Sequence, residues 1–195
     1  MSSKLKAQIN HLQKWRNINL KTKTMKTKQL TKPEKRVLIA KDVIKLIKAK
    51  KIVIQGGRYF QVGSRGRYIG KQLKDVLPKI PKCQVCALGG LFYSYVLKYN
   101  NYEIDDDGLI NINEKDDEMR GLLKDIFSIA QLHLIECAFE QSDIEANCRC
   151  KYSFNTITRA EEYRDKHNLS GYKDDNKALI HIMKNIISNK GIFKV

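Results

Sequence analysis

Cationic and aromatic side chains alternate in one glycine-punctuated stretch of the sequence, residues 58–71. Arginine and lysine can neutralise the phosphates of a nucleic acid, while tyrosine and phenylalanine can stack on its bases. The stretch therefore predicts a surface that binds nucleic acid. The same alternation also fits a β-surface whose aromatic rings pack inward. The side chains concerned are Arg58, Tyr59, Phe60, Arg65, Arg67, Tyr68 and Lys71.

Positive charge is concentrated in the first 82 residues of this chain, whose net charge is +16. These residues hold 23 of the 37 Lys and Arg residues but only 3 of the 21 Asp and Glu residues. Such a polarised chain attracts polyanions, of which nucleic acid is the most common; an acidic surface of a host protein is the alternative. A third interpretation is that the lysines are simply solvated. The further candidate phosphate contacts are Lys21, Lys23, Lys26, Lys28, Lys35, Arg36, Lys41, Lys45 and Lys48.

Residues 103–114 place carboxylates and amides around an Asp-Gly pair and resemble the twelve-residue calcium loop of an EF-hand. The resemblance implies that Asp105 and Asp107 are ligands at loop positions three and five, with Gly108 at the sharp turn. Glu103 departs from the aspartate that is usual at position one. A β-hairpin over the same residues is the alternative, and no second loop follows. The ligand set that the resemblance implies is Glu103, Asp105, Asp107, Asn111 and Glu114.

Five cysteines are an odd number, which fits a closed disulfide framework poorly and indicates reduced thiols. Cys83-x-x-Cys86 and Cys148-x-Cys150 together offer four thiolates for a structural zinc ion, although the two pairs lie far apart. The first pair falls in an apolar segment predicted to be helical, where cysteine packs as a small hydrophobe. A redox role would need a thioredoxin-like strand before it, and none is predicted. We expect no cofactor, with Ca²⁺ and Zn²⁺ as the metal candidates.

The sequence contains no arrangement typical of a catalytic site. There is no Ser-His-Asp order, phosphate loop or dinucleotide fingerprint. His133 and Cys137 share a helical face, but a histidine packed on a helix is the simpler interpretation of that spacing. We therefore expect a binding protein rather than an enzyme.

Helices are the elements that must position most of these residues. Thr31-Lys32-Pro33-Glu34 has the spacing of a capping box and predicts a helix over 32–50, with its lysines and Arg36 on the outer face. Lys51–Ile54 and Arg58–Val62 predict a β-hairpin around Gly56-Gly57. The predicted fold class is α+β, mostly α, with a compact helical core and small hairpin in residues 32–195 and a basic, flexible arm over 1–31. The other predicted helices cover 70–77, 83–99, 119–139, 158–167 and 174–189.

No segment of the sequence predicts contact with a membrane. The longest uncharged run, Cys83 to Leu97, is too short and too mixed to span a bilayer. The N-terminal segment lacks the apolar core of a secretory signal. We therefore expect a cytoplasmic protein with no membrane partner.

Two regions of the chain resemble a family of uncharacterised small proteins encoded by bacteriophages. The first combines Val37–Val43 with Cys83–Phe92, and the second is Ile182–Phe193. The resemblance spans residues 35–195 and leaves the basic arm outside. It implies an accessory role in the cytoplasm of a bacterial host and gives no catalytic residues to transfer.

Overall fold

The computed structural model describes residues 29–56, 60–61, 70–80, 83–99, 102–103, 116–140, 153–169 and 174–195. The fold is α+β and mostly helical, as predicted, and all the elements below belong to one unit, Thr31–Val195. In chain order they are α1 (Lys32–Lys48), β1 (Ile52–Ile54), β2 (Phe60–Gln61), α2 (Leu73–Val76), a 3₁₀ turn (Leu77–Lys79), β3 (Cys83–Val85), α3 (Ala87–Tyr99), α4 (Asp116–Leu123), α5 (Ile129–Phe139), α6 (Phe154–Lys166) and α7 (Asp175–Ser188). The predicted arm lies outside the described residues except for its last three.

Helix α1 begins at the predicted capping box. The backbone N–H of Glu34 donates to Thr31 Oγ1, and the backbone N–H of Thr31 donates to the Glu34 carboxylate at 2.8 Å. Pro33 occupies the first turn, where its missing N–H is not needed. The helix ends two residues before the predicted limit because Lys50 adopts a left-handed backbone conformation, with φ of 55°.

The small β element is a three-stranded sheet rather than the expected hairpin of adjacent strands. The strand order is β1-β3-β2, so β3 lies between the two strands that were predicted to pair. It pairs in parallel with β1, with Ile52 opposite Cys83, and antiparallel with β2. The prediction that Cys83–Tyr99 forms one helix was therefore wrong at its start. A short apolar run fits a strand or a helix equally well, and pairing with β1 decides the outcome.

The predicted helix Met119–Phe139 is two helices, α4 and α5. The break occurs where the Ser128 hydroxyl accepts a hydrogen bond from the Gln131 backbone N–H at 3.3 Å and caps a new helix. Just before it, the Asp125 carboxylate accepts the hydroxyl of Tyr95 from α3 at 3.1 Å. Helix α6 starts four residues before its predicted limit, because Ser153 caps it in the same way.

The core forms where α3 crosses its neighbours. α3 packs on α1, on α5 and on the sheet, and α5 packs on α6 and α7. The closest packing partner of α7 is α1, which the sequence did not predict. Cys86, Gly90 and Ser94 are buried, and the last two face α1. After α7 the chain turns at Gly191, whose φ of +92° and close approach to Pro33 require a residue without a side chain.

Candidate nucleic-acid interface

The outward face of α1 carries a row of lysines. Lys41, Lys45 and Lys48 are exposed and follow each other at spacings of four and three residues, so they share one face over about 10 Å of helix. Two further exposed lysines, Lys50 and Lys51, continue the positive charge past the end of the helix. We call these five residues the lysine ridge.

The acidic residues of α1 do not neutralise the lysine ridge. The Asp42 carboxylate accepts a hydrogen bond from the buried hydroxyl of Ser94 at 2.9 Å and forms an ion pair with Lys98 at 3.2 Å. Glu34 is engaged in the capping box. Within the described part of the chain, no carboxylate lies within ion-pairing distance of a ridge lysine. The ridge therefore presents positive charge to the solvent without a counter-ion among the described residues.

The sequence predicted Lys35 and Arg36 on the outer face of α1, but in the structure they do not lie there with the ridge. Both are partly buried and contact aromatic rings. Lys35 Nζ lies 5.4 Å from the centre of the Tyr99 ring, and the guanidinium carbon of Arg36 lies 5.9 Å from that of Phe127. Helical geometry explains the difference, since Arg36 is four residues before the buried Ala40 and therefore belongs to the packed side.

Of the other predicted phosphate contacts, only Lys71 lies within the described residues. Lys71 is exposed at the start of the segment that leads into α2. The sequence analysis did not include the ridge residues Lys50 and Lys51 among the candidate phosphate contacts, although both are lysines. Lys51 had been assigned to a strand. The remaining candidates lie outside the described residues: Lys21, Lys23, Lys26, Lys28, Arg58, Tyr59, Arg65, Arg67 and Tyr68.

Of the five predicted calcium ligands, only Glu103 lies within the described residues. Glu103 is exposed and forms an isolated antiparallel bridge with Gln72, whose side-chain amide donates to the Glu103 carboxylate at 3.5 Å. In the described ranges, no three His, Cys, Asp or Glu side chains are grouped so that they could hold a metal ion. The calcium loop stays a prediction, because its other ligands, Asp105, Asp107, Asn111 and Glu114, lie outside the described residues.

Cys83 is the first residue of β3, and Cys86 lies between β3 and α3, so β3 does not precede the pair. Both side chains are reduced thiols and are 1% exposed. Burial, followed by the negative charge of Glu140, raises the pKa of Cys86 well above its usual range. A reactive cysteine needs an accessible thiolate; both thiols are buried, and the surroundings of Cys86 also disfavour its ionisation. Cys148 and Cys150, the other half of the predicted zinc set, lie outside the described residues.

A histidine cluster that sequence reasoning did not identify joins α6 to α7. His181 Nδ1 is hydrogen-bonded to the hydroxyl of Tyr163 at 2.9 Å, and the ring of His167 lies 4.6 Å from that of His181. The ring of Phe193 packs on Tyr163 from the C-terminal segment. The residues come from three elements, so no sequence spacing indicated the cluster.

Every helix in the described ranges is too short or too polar to cross a membrane. Comparison of the chain with family models, with curated proteins and with solved structures found no match. The resemblance to bacteriophage proteins therefore stays a prediction, and function has to be argued from the residues of this chain.

Proposed function

We propose that this chain is a non-enzymatic protein that binds nucleic acid through its basic N-terminal half, as an accessory protein of bacteriophage type in a bacterial cytoplasm. The observation that carries the proposal is the lysine ridge, with which no described carboxylate forms an ion pair. Lys41, Lys45 and Lys48 project from one helical face, while Asp42, the acidic residue nearest to them in α1, is occupied by Ser94 and Lys98. A run of exposed ammonium groups neutralises phosphates and releases the counter-ions condensed on a nucleic acid.

The chemistry of the ridge favours binding that is independent of base sequence. Helix α1 contains neither asparagine nor glutamine, the residues that read adenine, and its one arginine faces the packed side. Lysine contacts to phosphates fix position on a duplex but carry no sequence information. We therefore expect the ridge to contribute equally to the binding of unrelated sequences.

Fluorescence anisotropy with a labelled duplex of about 20 base pairs at several salt concentrations tests the proposal. Affinity should fall steeply with salt. In the Lys41→Gln/Lys45→Gln/Lys48→Gln variant the slope of log K against log salt should become shallower by about 3, roughly one for each lost phosphate contact. The loss should be the same for two duplexes of unrelated sequence.

The matched control removes the same charge elsewhere. Lys166, Lys184 and Lys194 are exposed lysines on α6, on α7 and after α7. Replacing these three with glutamine changes the net charge equally and should leave the salt slope nearly unchanged. Equal losses in both variants would mean that only total charge matters. Binding that does not depend on salt would refute the proposal, and absence of duplex binding would direct attention to an acidic protein surface as the partner.

A further inference from the structure

Arg36 is a cation at a core-facing position of α1. It lies four residues before Ala40 and seven before Val43, both of which are fully buried. Its guanidinium lies beside the buried ring of Phe127. Arg36 therefore extends the apolar stripe of α1 by one turn with a charged group instead of an apolar one.

The guanidinium of Arg36 lacks an acceptor among the described residues. Its Nε atom is buried and has no hydrogen-bond partner, and no ion pair with a described carboxylate compensates the charge. Burial lowers the pKa of Arg36, and no neighbouring charge offsets this effect. A buried donor with no acceptor costs free energy, whereas an apolar side chain of similar length would not. In the free protein Arg36 thus weakens the packing that it joins.

Only the Nε atom of Arg36 is buried without a partner, so an oxyanion would supply an acceptor to the amino groups at the end of the guanidinium rather than to Nε. The guanidinium presents a planar fork of donors that matches the oxygens of a phosphate group, and its partial burial would strengthen that interaction. Two lysines stand at the same end of α1. Lys32 is exposed and shares the helical face of Arg36, and Lys35 is partly exposed beside it. Neither pairs with a described carboxylate.

We infer that Arg36, supported by Lys32 and Lys35, is an anchoring site for a single phosphate group, separate from the lysine ridge. This site rests on the proposed function and deepens it, because the backbone of a nucleic acid would supply the phosphate. It differs from the ridge in kind: the ridge attracts phosphates through solvent, whereas Arg36 holds one by directed hydrogen bonds at a partly buried position.

Arg36→Met in the full chain tests the inference, because it removes the charge and the unpaired donor but keeps the length of the side chain. The free variant should melt at the same temperature as wild type or a few degrees higher. Its affinity for the labelled duplex should nevertheless fall about 5- to 10-fold, as expected for one charge-assisted contact. Arg36→Lys, which keeps the charge without the fork, should recover only part of the affinity.

Arg159 provides the matched control. It is an exposed arginine on α6 with no described ion-pair partner, so Arg159→Met should change neither the melting temperature nor the affinity by a comparable amount. A lower melting temperature for Arg36→Met, with duplex affinity unchanged, would overturn the inference and make Arg36 a structural residue.

Inorganic phosphate separates this site from the proposed function. Phosphate should raise the melting temperature of wild type more than chloride does at equal ionic strength, and the difference should be smaller in Arg36→Met, where only the site-independent stabilisation by an excluded anion is left. If wild type shows this effect but binds no duplex, the phosphate site stands and the nucleic-acid proposal falls. If duplex binding depends on the ridge but Arg36→Met changes neither the effect of phosphate on the melting temperature nor the affinity for the duplex, the site falls and the proposed function stands.

Discussion

Gly90 lies where three elements meet α3, and substitutions there test the core directly. A Cβ atom placed on Gly90 would lie 3.6 Å from Leu179 Cδ2 on α7, 3.7 Å from Val43 Cγ1 on α1 and 3.9 Å from Val85 Cγ2 on β3. These are ordinary van der Waals contacts, so alanine fits. Gly90→Ala should therefore stabilise the protein by about 1 kcal/mol, the usual helix-propensity difference, and raise Tm by about 2–4 °C.

Leucine at the same position should have the opposite effect. Its three additional carbons would have to occupy space that Leu179, Val43 and Val85 already fill. Overpacking of this kind costs about 1–3 kcal/mol, and leucine and alanine have similar helix propensities. Gly90→Leu should therefore melt about 2–12 °C below Gly90→Ala.

The control is Gly121 in α4, which is exposed. A Cβ atom added to Gly121 would have no described atom within 4 Å beyond its own helix and chain neighbours. Gly121→Ala and Gly121→Leu should both be stabilising by the propensity difference of about 1 kcal/mol. Thermal melts followed by circular dichroism compare the four variants. If Gly90→Leu melts as high as Gly90→Ala, the assignment of this face to the core is wrong.

Two further predictions concern charged groups. Burial, then His167 and Lys184, lower the pKa of His181, so the unfolded chain binds a proton more readily than the folded one. This contribution to stability is present above pH about 6.5 and is lost as pH falls towards the lower folded pKa. The Tm of wild type should therefore fall between about pH 8 and about pH 5, and the fall should be smaller in His181→Gln. Arg120 and Glu136 form a buried ion pair at 2.7 Å, so Glu136→Leu should lower the unfolding free energy by about 3–5 kcal/mol in urea titrations, while Arg120→Met/Glu136→Leu should recover most of it. The first prediction would be contradicted if Tm depended on pH in His181→Gln as it does in wild type. The second would be contradicted if Arg120→Met/Glu136→Leu were no more stable than Glu136→Leu.

The sequence by itself determined the features that depend on neighbouring residues. The start of α1 follows from Thr31 and Glu34, three positions apart, and the end of α7 follows from Asn189 and Gly191. Capping and helix termination act through hydrogen bonds within one or two turns, so they can be recognised without knowledge of the fold. The excess of positive charge in the first 82 residues is likewise a property of composition.

Tertiary structure decided the features that depend on distant residues. Cys83–Val85 became a strand because Ile52–Ile54, about 30 residues earlier, offered a parallel partner. Arg36 faces the core because Phe127 packs beside it. The spacing of Arg36 from Ala40 places it on the packed face of α1, but its partner ring and the partner strand of Cys83–Val85 depend on which surfaces the folded chain brings together.

The candidate interface combines both kinds of information. Lys41, Lys45 and Lys48 were predicted from the sequence, but the placement of the Asp42 carboxylate away from them was not. Asp42 stands one residue after Lys41 in the sequence, where it would be expected to oppose that charge, yet in the fold its carboxylate turns to Ser94 and Lys98, more than 50 residues away. Coulomb interactions depend on distance in space and on solvent exposure rather than on separation along the chain. Sequence therefore supplied the charge of α1, and only the packing of α1 on α3 drew the Asp42 carboxylate away from that charge.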